Sequence, residues 1–412
     1  MFGSKTYSLG IFLYLSLIFG YFYDENLNFG AYQDWLNANI NPIKDFSDNF
    51  VDTFLNYEKY GHRHSPVYLI ILSFILKTGL DIEYVRLIHL HFCLILIFLF
   101  YKCLIIKFSE IDKKLLFLLS LTIFLSPTFR SIAIWPDSRI PGLIFFTLSI
   151  FYFLKFNQNY QLSFAWYSTL SLILSAYISP NFSIFIIYFF YFFLKKIKIF
   201  DLKYLICFTF LSSLPMLYYL FIMDVNFLMA GGTQYTEERG LYYFNLSNKI
   251  LIISSIFLFH FIPFLHNLLN FEDIKNFFKR KFIIILTLFI FIIFFFDYGS
   301  EFTGGGVFFQ ISNFLFKNNY LFFLISFFSI CLIFYISKDH SNFLLIALIV
   351  LSNIQNSIYH KYYEPMFMIL IFTLFKNFDF QKFFKKRENF YILYLFCLVF
   401  IFLRGFKNYY LM

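Results

Sequence analysis

Residues 282–296 read Phe-Ile-Ile-Ile-Leu-Thr-Leu-Phe-Ile-Phe-Ile-Ile-Phe-Phe-Phe, with Lys279-Arg280-Lys281 before them and Asp297 after. A helix on the surface of a soluble protein keeps one polar face, and a barrel strand alternates polar and apolar residues. This stretch does neither, because it is apolar on every face. In hydrocarbon each backbone N–H and C=O needs an internal partner, and a helix supplies one for every residue. The stretch is therefore read as a helix inside a bilayer.

The rest of the chain repeats the pattern. Of 412 residues 60% are hydrophobic and 14% charged, where soluble domains carry about 25% charged residues. Apolar stretches recur at about 7–23, 84–107, 115–127, 139–155, 164–178, 181–195, 204–223, 248–268, 282–297, 320–337, 342–355, 364–376 and 389–404, roughly 13 crossings with boundaries uncertain by several residues. The expected fold class is all-α, a polytopic transmembrane helical bundle forming one domain over residues 1–412. Residues 24–83 form its first outer loop. Within that loop Ser65–Thr78 is apolar but short and contains Lys77. It is read as a juxtamembrane helix on the outer face.

Charge sets the orientation. The net charge of +9 is the imprint of the positive-inside rule and not of a nucleic-acid partner. With the N-terminus inside, the clusters Lys113-Lys114, Lys195-Lys196 with Lys198, Lys279-Arg280-Lys281 and Lys385-Lys386-Arg387 all face the cytoplasm. About 20 of the 33 Lys and Arg then lie inside and about 16 of the 24 Asp and Glu outside. The outer loops are Asp24–Ser65, Ser126–Ser138, Asp224–Asn248, Asp297–Asn319 and Gln355–Tyr363. Lys5 precedes an apolar stretch without a small-residue cleavage site, so the first helix is read as retained. The location expected is a bacterial inner membrane, with the working face outside.

Several chemistries find no foothold. The sequence has no Walker A, CxxC or HExxH motif. Cys93, Cys103, Cys207, Cys331 and Cys397 fall inside apolar stretches and are read as inert. The 70 Phe and 32 Tyr reflect compositional bias, not a cofactor box. His89, His91, His260 and His266 are read as interhelical hydrogen-bond partners, Gly304-Gly305-Gly306 as a flexible loop tip, and Asp45, Asp48 and Asp52 as a solvated face.

Polar residues gather at three outer places. One holds Asp24, Glu25 and Asp34 and ends in Gly61-His62-Arg63-His64-Ser65-Pro66. The second runs Ser126-Pro127-Thr128-Phe129-Arg130 to Trp135-Pro136-Asp137-Ser138-Arg139. The third is Tyr359-His360-Lys361-Tyr362-Tyr363-Glu364-Pro365. Carboxylates beside cations on one face suit displacement of an anionic leaving group, with a carboxylate removing the proton. His62 and Asp137 are the ligand candidates for a divalent metal.

These stretches, in this order, resemble the GT-C glycosyltransferases. An acidic pair follows the first helix, here Asp24-Glu25, or else Asp34 in Gly30-Ala31-Tyr32-Gln33-Asp34-Trp35. The loop closes on Arg63-His64-Ser65-Pro66-Val67-Tyr68-Leu69, similar to a basic-Pro-Pro-Leu-Tyr juxtamembrane motif with Ser65 in place of the first Pro. Val85-Arg86 opens the next helix, Asp137 precedes a later one, and Lys361-Tyr362-Tyr363-Glu364-Pro365 is similar to an Arg-Tyr-x-x-Pro motif. The resemblance implies transfer of a sugar from a polyprenyl-phosphate donor to an envelope lipid, glycan or protein acceptor. It implies Asp34, Asp24 and Glu25 as catalytic candidates. Arg63, His64, Arg130, Asp137, Lys361 and Tyr362 would contact phosphate or substrate. An envelope polysaccharide polymerase or ligase would want a late outer loop rich in Arg and His. A transporter or lipid flippase would want ionisable residues at mid-membrane.

The orientation is tested with single cysteines at Asn56 and Asn276 in intact cells. An impermeant maleimide should label the first and spare the second; the reverse pattern would invert the reading.

Overall fold

The computed structural model describes residues 3–60, 65–221, 245–268, 271–299, 304–353, 357–376, 378 and 380–410. Among them every regular element is helical and there is no strand. The chain divides into two compact units, Met1–Phe227 with Tyr394–Met412, and Leu228–Leu393.

The first unit contains α1 (Gly3–Phe22), α2 (Val67–Leu76), α3 (Ile82–Lys107), α4 (Lys113–Leu121), α5 (Pro127–Ile134), α6 (Arg139–Asn159), α7 (Leu162–Ile178), α8 (Ile186–Lys196) and α9 (Ile199–Phe221). It also takes the later part of the long helix Arg387–Tyr410. The second holds Leu246–Phe261 (α10), Phe271–Phe294 (α11), Gly306–Phe316 (α12), Tyr320–Ile336 (α13), His340–Leu351 (α14) and Glu364–Thr373 (α15). Among the described residues 5 helices are long and apolar enough to cross a membrane, or 6 if one bent pair is a single span. Six further apolar stretches form helices of 10–17 residues, so helix length alone does not carry the expected count of crossings.

The bent pair departs most from expectation. Ser126–Ser138 was expected as an outer loop, yet Pro127–Ile134 is a helix whose every residue is buried. Pro127 has no N–H to donate and its ring disfavours a continuing helix, so the chain breaks there. Ser126 then caps a new start, its Oγ accepting from Phe129 N at 3.0 Å. The two halves meet at 66°.

The first loop is also more ordered than expected. Phe29–Asp34, Trp35–Asn39, Ile40–Asp48 and Phe50–Leu55 are short helices, anchored by buried Trp35, Ile43, Phe46 and Tyr57. The helix expected within Ser65–Thr78 is present as α2, Val67–Leu76.

Contacts within the first unit sort its helix ends into two levels. At one level the Tyr7 and Phe117 rings lie 5.7 Å apart, Tyr394 Oη donates to Leu118 O at 2.8 Å and Gln158 Nε2 donates to Ile106 O at 3.0 Å. At the other, the end of α1 meets the start of α3, the middle of α5 and the end of the helix closing at Tyr410. Lys107, Lys113 and Lys114 lie at the first level, and the acidic pair at the second.

Helices α6 and α7 pack through small residues. Ser168 Oγ donates to Ser149 O at 2.9 Å and Ser175 Oγ to Gly142 O at 2.7 Å, which lets the backbones approach closely. A Cβ on Gly142 would stand 2.6 Å from Ser179 Cβ.

In the second unit the expected loop Asp297–Asn319 contains α12. Gly304, Gly305 and Gly306 lie at φ 120°, 77° and 78°. They form a packed turn and not a loose tip, because Gly305 N donates to Ile358 O at 2.9 Å and a Cβ on Gly304 would be 2.6 Å from that same oxygen.

Replacing Gly142 with Val should push α6 off α7. Overpacking of this kind costs about 1–3 kcal/mol. The detergent melting midpoint of Gly142→Val should fall clearly below that of the parent; an unchanged midpoint would mean the interface is loose.

Candidate functional site

The site begins where α1 ends. Asp24 N donates to Tyr21 O at 3.2 Å and Glu25 N to Gly20 O at 2.8 Å. That pair of bonds is a Schellman cap with Asp24 at the left-handed position, φ 50°, where glycine is usual. Asp is among the few side chains that tolerate this conformation. The turn directs its carboxylate to Arg86, whose Nη2 lies 3.0 Å from Asp24 Oδ1.

Arg86 is only 4% exposed. Its Nη1 donates to Glu83 Oε2 at 2.5 Å and its Nε to Ile134 O at 3.4 Å. The guanidinium lies over the Trp135 ring, 3.9 Å from the centroid. Trp135 Nε1 in turn donates to Glu25 O at 3.0 Å, tying the arginine's aromatic floor to the acidic pair.

Glu25 has a different partner. Arg130 grips it through two parallel bonds, Nε to Oε1 and Nη2 to Oε2, each 2.7 Å. Arg130 also donates to Ser16 Oγ at 3.0 Å and Ser16 O at 2.9 Å. A Cβ on Gly20 would fall 2.9 Å from Glu25 Oε2 and 3.1 Å from Arg130 Nη2; the absent side chain makes room for the ion pair. The turn is closed from outside by Tyr409 Oη, which accepts from Asn26 N at 3.0 Å, and by Asn408 Nδ2, which donates to Asn26 O at 3.1 Å.

Adjacent carboxylates thus have opposite environments. Glu25 is four-fifths covered and held bidentately, its side chain 21% exposed against 7% for Arg130. Asp24 is 66% exposed and shares one oxygen with Arg86. Three carboxylates face two guanidiniums, leaving one excess negative charge at the solvent-facing edge. Such an edge suits holding a cation or taking a proton. It is a poor seat for phosphate, and Arg130, expected to contact phosphate, already has its charge met by Glu25.

The other candidates fall as follows. Asp34 is exposed at the end of its short helix. Asp137 Oδ1 accepts from Arg139 N at 2.8 Å, and Arg139 Nη1 lies 3.9 Å from Oδ2. His62, Arg63 and His64 lie outside the described residues. In the second unit Lys361 lies in the connection between α14 and α15, where a loop was expected; it and Glu364 are buried, at 8% and 4% exposure, and Tyr362 is half-buried beside it. Among the described residues no group of three or more His, Cys, Asp or Glu could hold a metal ion. Sequence reasoning placed Arg86 in a motif but not in the site, and missed Glu83 and Trp135. The available signal was an arginine inside an apolar helix, which needs a partner.

No family model, curated protein or solved structure matches the chain.

Removing one partner of a buried ion pair strands the other charge and costs on the order of 3 kcal/mol. Arg130→Met and Glu25→Gln should each lower the detergent melting midpoint. The double variant should recover part of the loss, as a double-mutant cycle reads directly. Additive losses would mean that the two groups do not depend on each other.

Proposed function

We propose that the chain is a polytopic membrane glycosyltransferase that moves a sugar from a polyprenyl-phosphate donor to an envelope acceptor on the outer face of the membrane. The reading keeps the roughly 13 crossings inferred from hydropathy and the orientation inferred from charge. Its chief support is the acidic pair at the end of α1. One member is locked by Arg130, and the other is exposed and aimed by Arg86.

Asp24 is assigned as the general base, with Asp34 as the alternative on the same loop. The acceptor hydroxyl gives its proton to the carboxylate as its oxygen bonds to the sugar C1. The C1–O bond to the lipid phosphate breaks, and the phosphate leaves with the bonding pair. General-base help of this kind is worth about 100- to 10,000-fold. Arg86 orients Asp24 through their 3.0 Å ion pair. Glu25 acts as a structural anion. Arg130 is no longer assigned to phosphate, a role left to the other cations of the sequence motifs.

The test uses purified protein with a polyprenyl-phosphate sugar and no nucleotide sugar. Asp24→Asn should fold as the parent does and lose turnover by about 100-fold or more. Asp24→Gly, which relieves the left-handed φ while leaving Arg86 its bond to Glu83, should still fold and be as inactive. If Asp34→Asn is the inactive variant, the base moves to Asp34. Turnover that requires a soluble nucleotide sugar would overturn the reading.

A further inference from the structure

One turn beyond Arg86 on α3 lies His89, 1% exposed. Its Nε2 is 2.8 Å from Ile132 O, and its Nδ1 bonds Tyr68 Oη of α2. Cys93 Sγ, one turn further on, lies 3.4 Å from Nε2.

The carbonyl that His89 meets has a specific need. In a continuing helix Ile132 O would accept from the N–H of residue 136, but residue 136 is proline and has none. A buried carbonyl left without a donor is costly. The helix end also leaves Ile134 O for Arg86 Nε at 3.4 Å, while Ser131 O takes Trp135 N at 2.8 Å. Two successive turns of α3, through Arg86 and His89, are therefore bonded to the terminal carbonyls of α5. The carbonyl can only accept, so Nε2 carries the proton. Nδ1 then accepts, and Tyr68 Oη donates to it.

We propose that His89, with its tautomer fixed by Tyr68, is the positioning residue that sets Arg86 against Asp24, and that it thereby links the juxtamembrane helix α2 to the acidic site. The role of Asp24 as base rests on the function proposed above; the positioning itself does not. His89 touches neither carboxylate and acts only by holding α3 in register with α5. Tyr68 stands at the start of α2 and transmits any displacement of that helix to the imidazole.

The closing experiment reads Asp24 itself, independently of turnover. The full-length protein in detergent is treated with a water-soluble carbodiimide and an amine, and labelling at Asp24 is followed by mass spectrometry. His89→Leu removes both bonds. His89→Gln keeps a donor for Ile132 O and an acceptor for Tyr68. Tyr68→Phe removes only the hydroxyl and leaves the ring to pack. His89→Leu and Tyr68→Phe should each change the Asp24 labelling rate by several-fold, while His89→Gln should stay near the parent rate. With donor and acceptor present, kcat should fall by roughly 10-fold, as loss of an outer-shell partner does, with the donor KM little moved. Unchanged Asp24 labelling in Tyr68→Phe, which keeps the packing, would overturn the proposal even if His89→Leu fails to fold. Altered labelling in the variants, with no transfer by the parent protein, would retain the positioning role and discard the glycosyltransferase reading.

Discussion

A guanidinium cannot be left alone in an apolar interior, and two of them organise the first unit. Each must find a carboxylate and enough oxygen acceptors to satisfy its remaining N–H groups. Arg130 draws the end of α1 and the loop after it onto α5. Arg86 draws the same loop onto α3. Three helices separated by long stretches of sequence are thereby fixed at one level. Hydrophobic attraction cannot supply this order, because in lipid an apolar side chain gains little by choosing a neighbouring helix over an acyl chain. Ser16, Gly20 and Trp135 serve the same end: an acceptor, a vacancy and an aromatic floor, each adjusted to one of the two arginines.

The proline breaks fit this picture. Pro127 ends one helical run and Pro136 deprives the next of a donor, so a short buried helix is left with unsatisfied carbonyls at its end. Those carbonyls become the acceptors for Arg86 and His89. Irregular backbone at membrane depth is tolerated where protein side chains complete it. The groups freed by the breaks are the ones the polar side chains of α3 occupy.

The helical class, the long apolar helices and the short helix within Ser65–Thr78 were legible in the sequence because each rests on local hydropathy. Helix starts such as Arg139 and Tyr320 agree to the residue. His89 and His91 make interhelical hydrogen bonds as expected, whereas among the described residues the Nε2 of buried His260 meets no hydrogen-bond partner. The helices in Ser126–Ser138 and Asp297–Asn319 were hidden, since Pro, Gly and polar residues read as loop when what covers them is unknown. Within the site, the acidic pair was legible as a pair, but its division into a locked and an open member was not. That division depends on which arginine reaches which carboxylate, and the two ion pairs span 62 and 105 residues of sequence. The burial of Lys361 was likewise invisible, because it is set by the helices around it and not by its neighbours in the chain.

The turn that carries Asp24 and Glu25 is bonded to Tyr409, 383 residues later in the chain. A chain made in order from its N-terminus therefore contains the acidic turn long before the helix that closes over it. Through most of its biogenesis the turn is held by its arginines alone. Its final shape marks a chain that has been threaded through to residue 409. Closure over the cluster is thus a late event, and a chain interrupted before residue 408 would keep both ion pairs but lack the bonds that Asn26 makes with Tyr409 and Asn408.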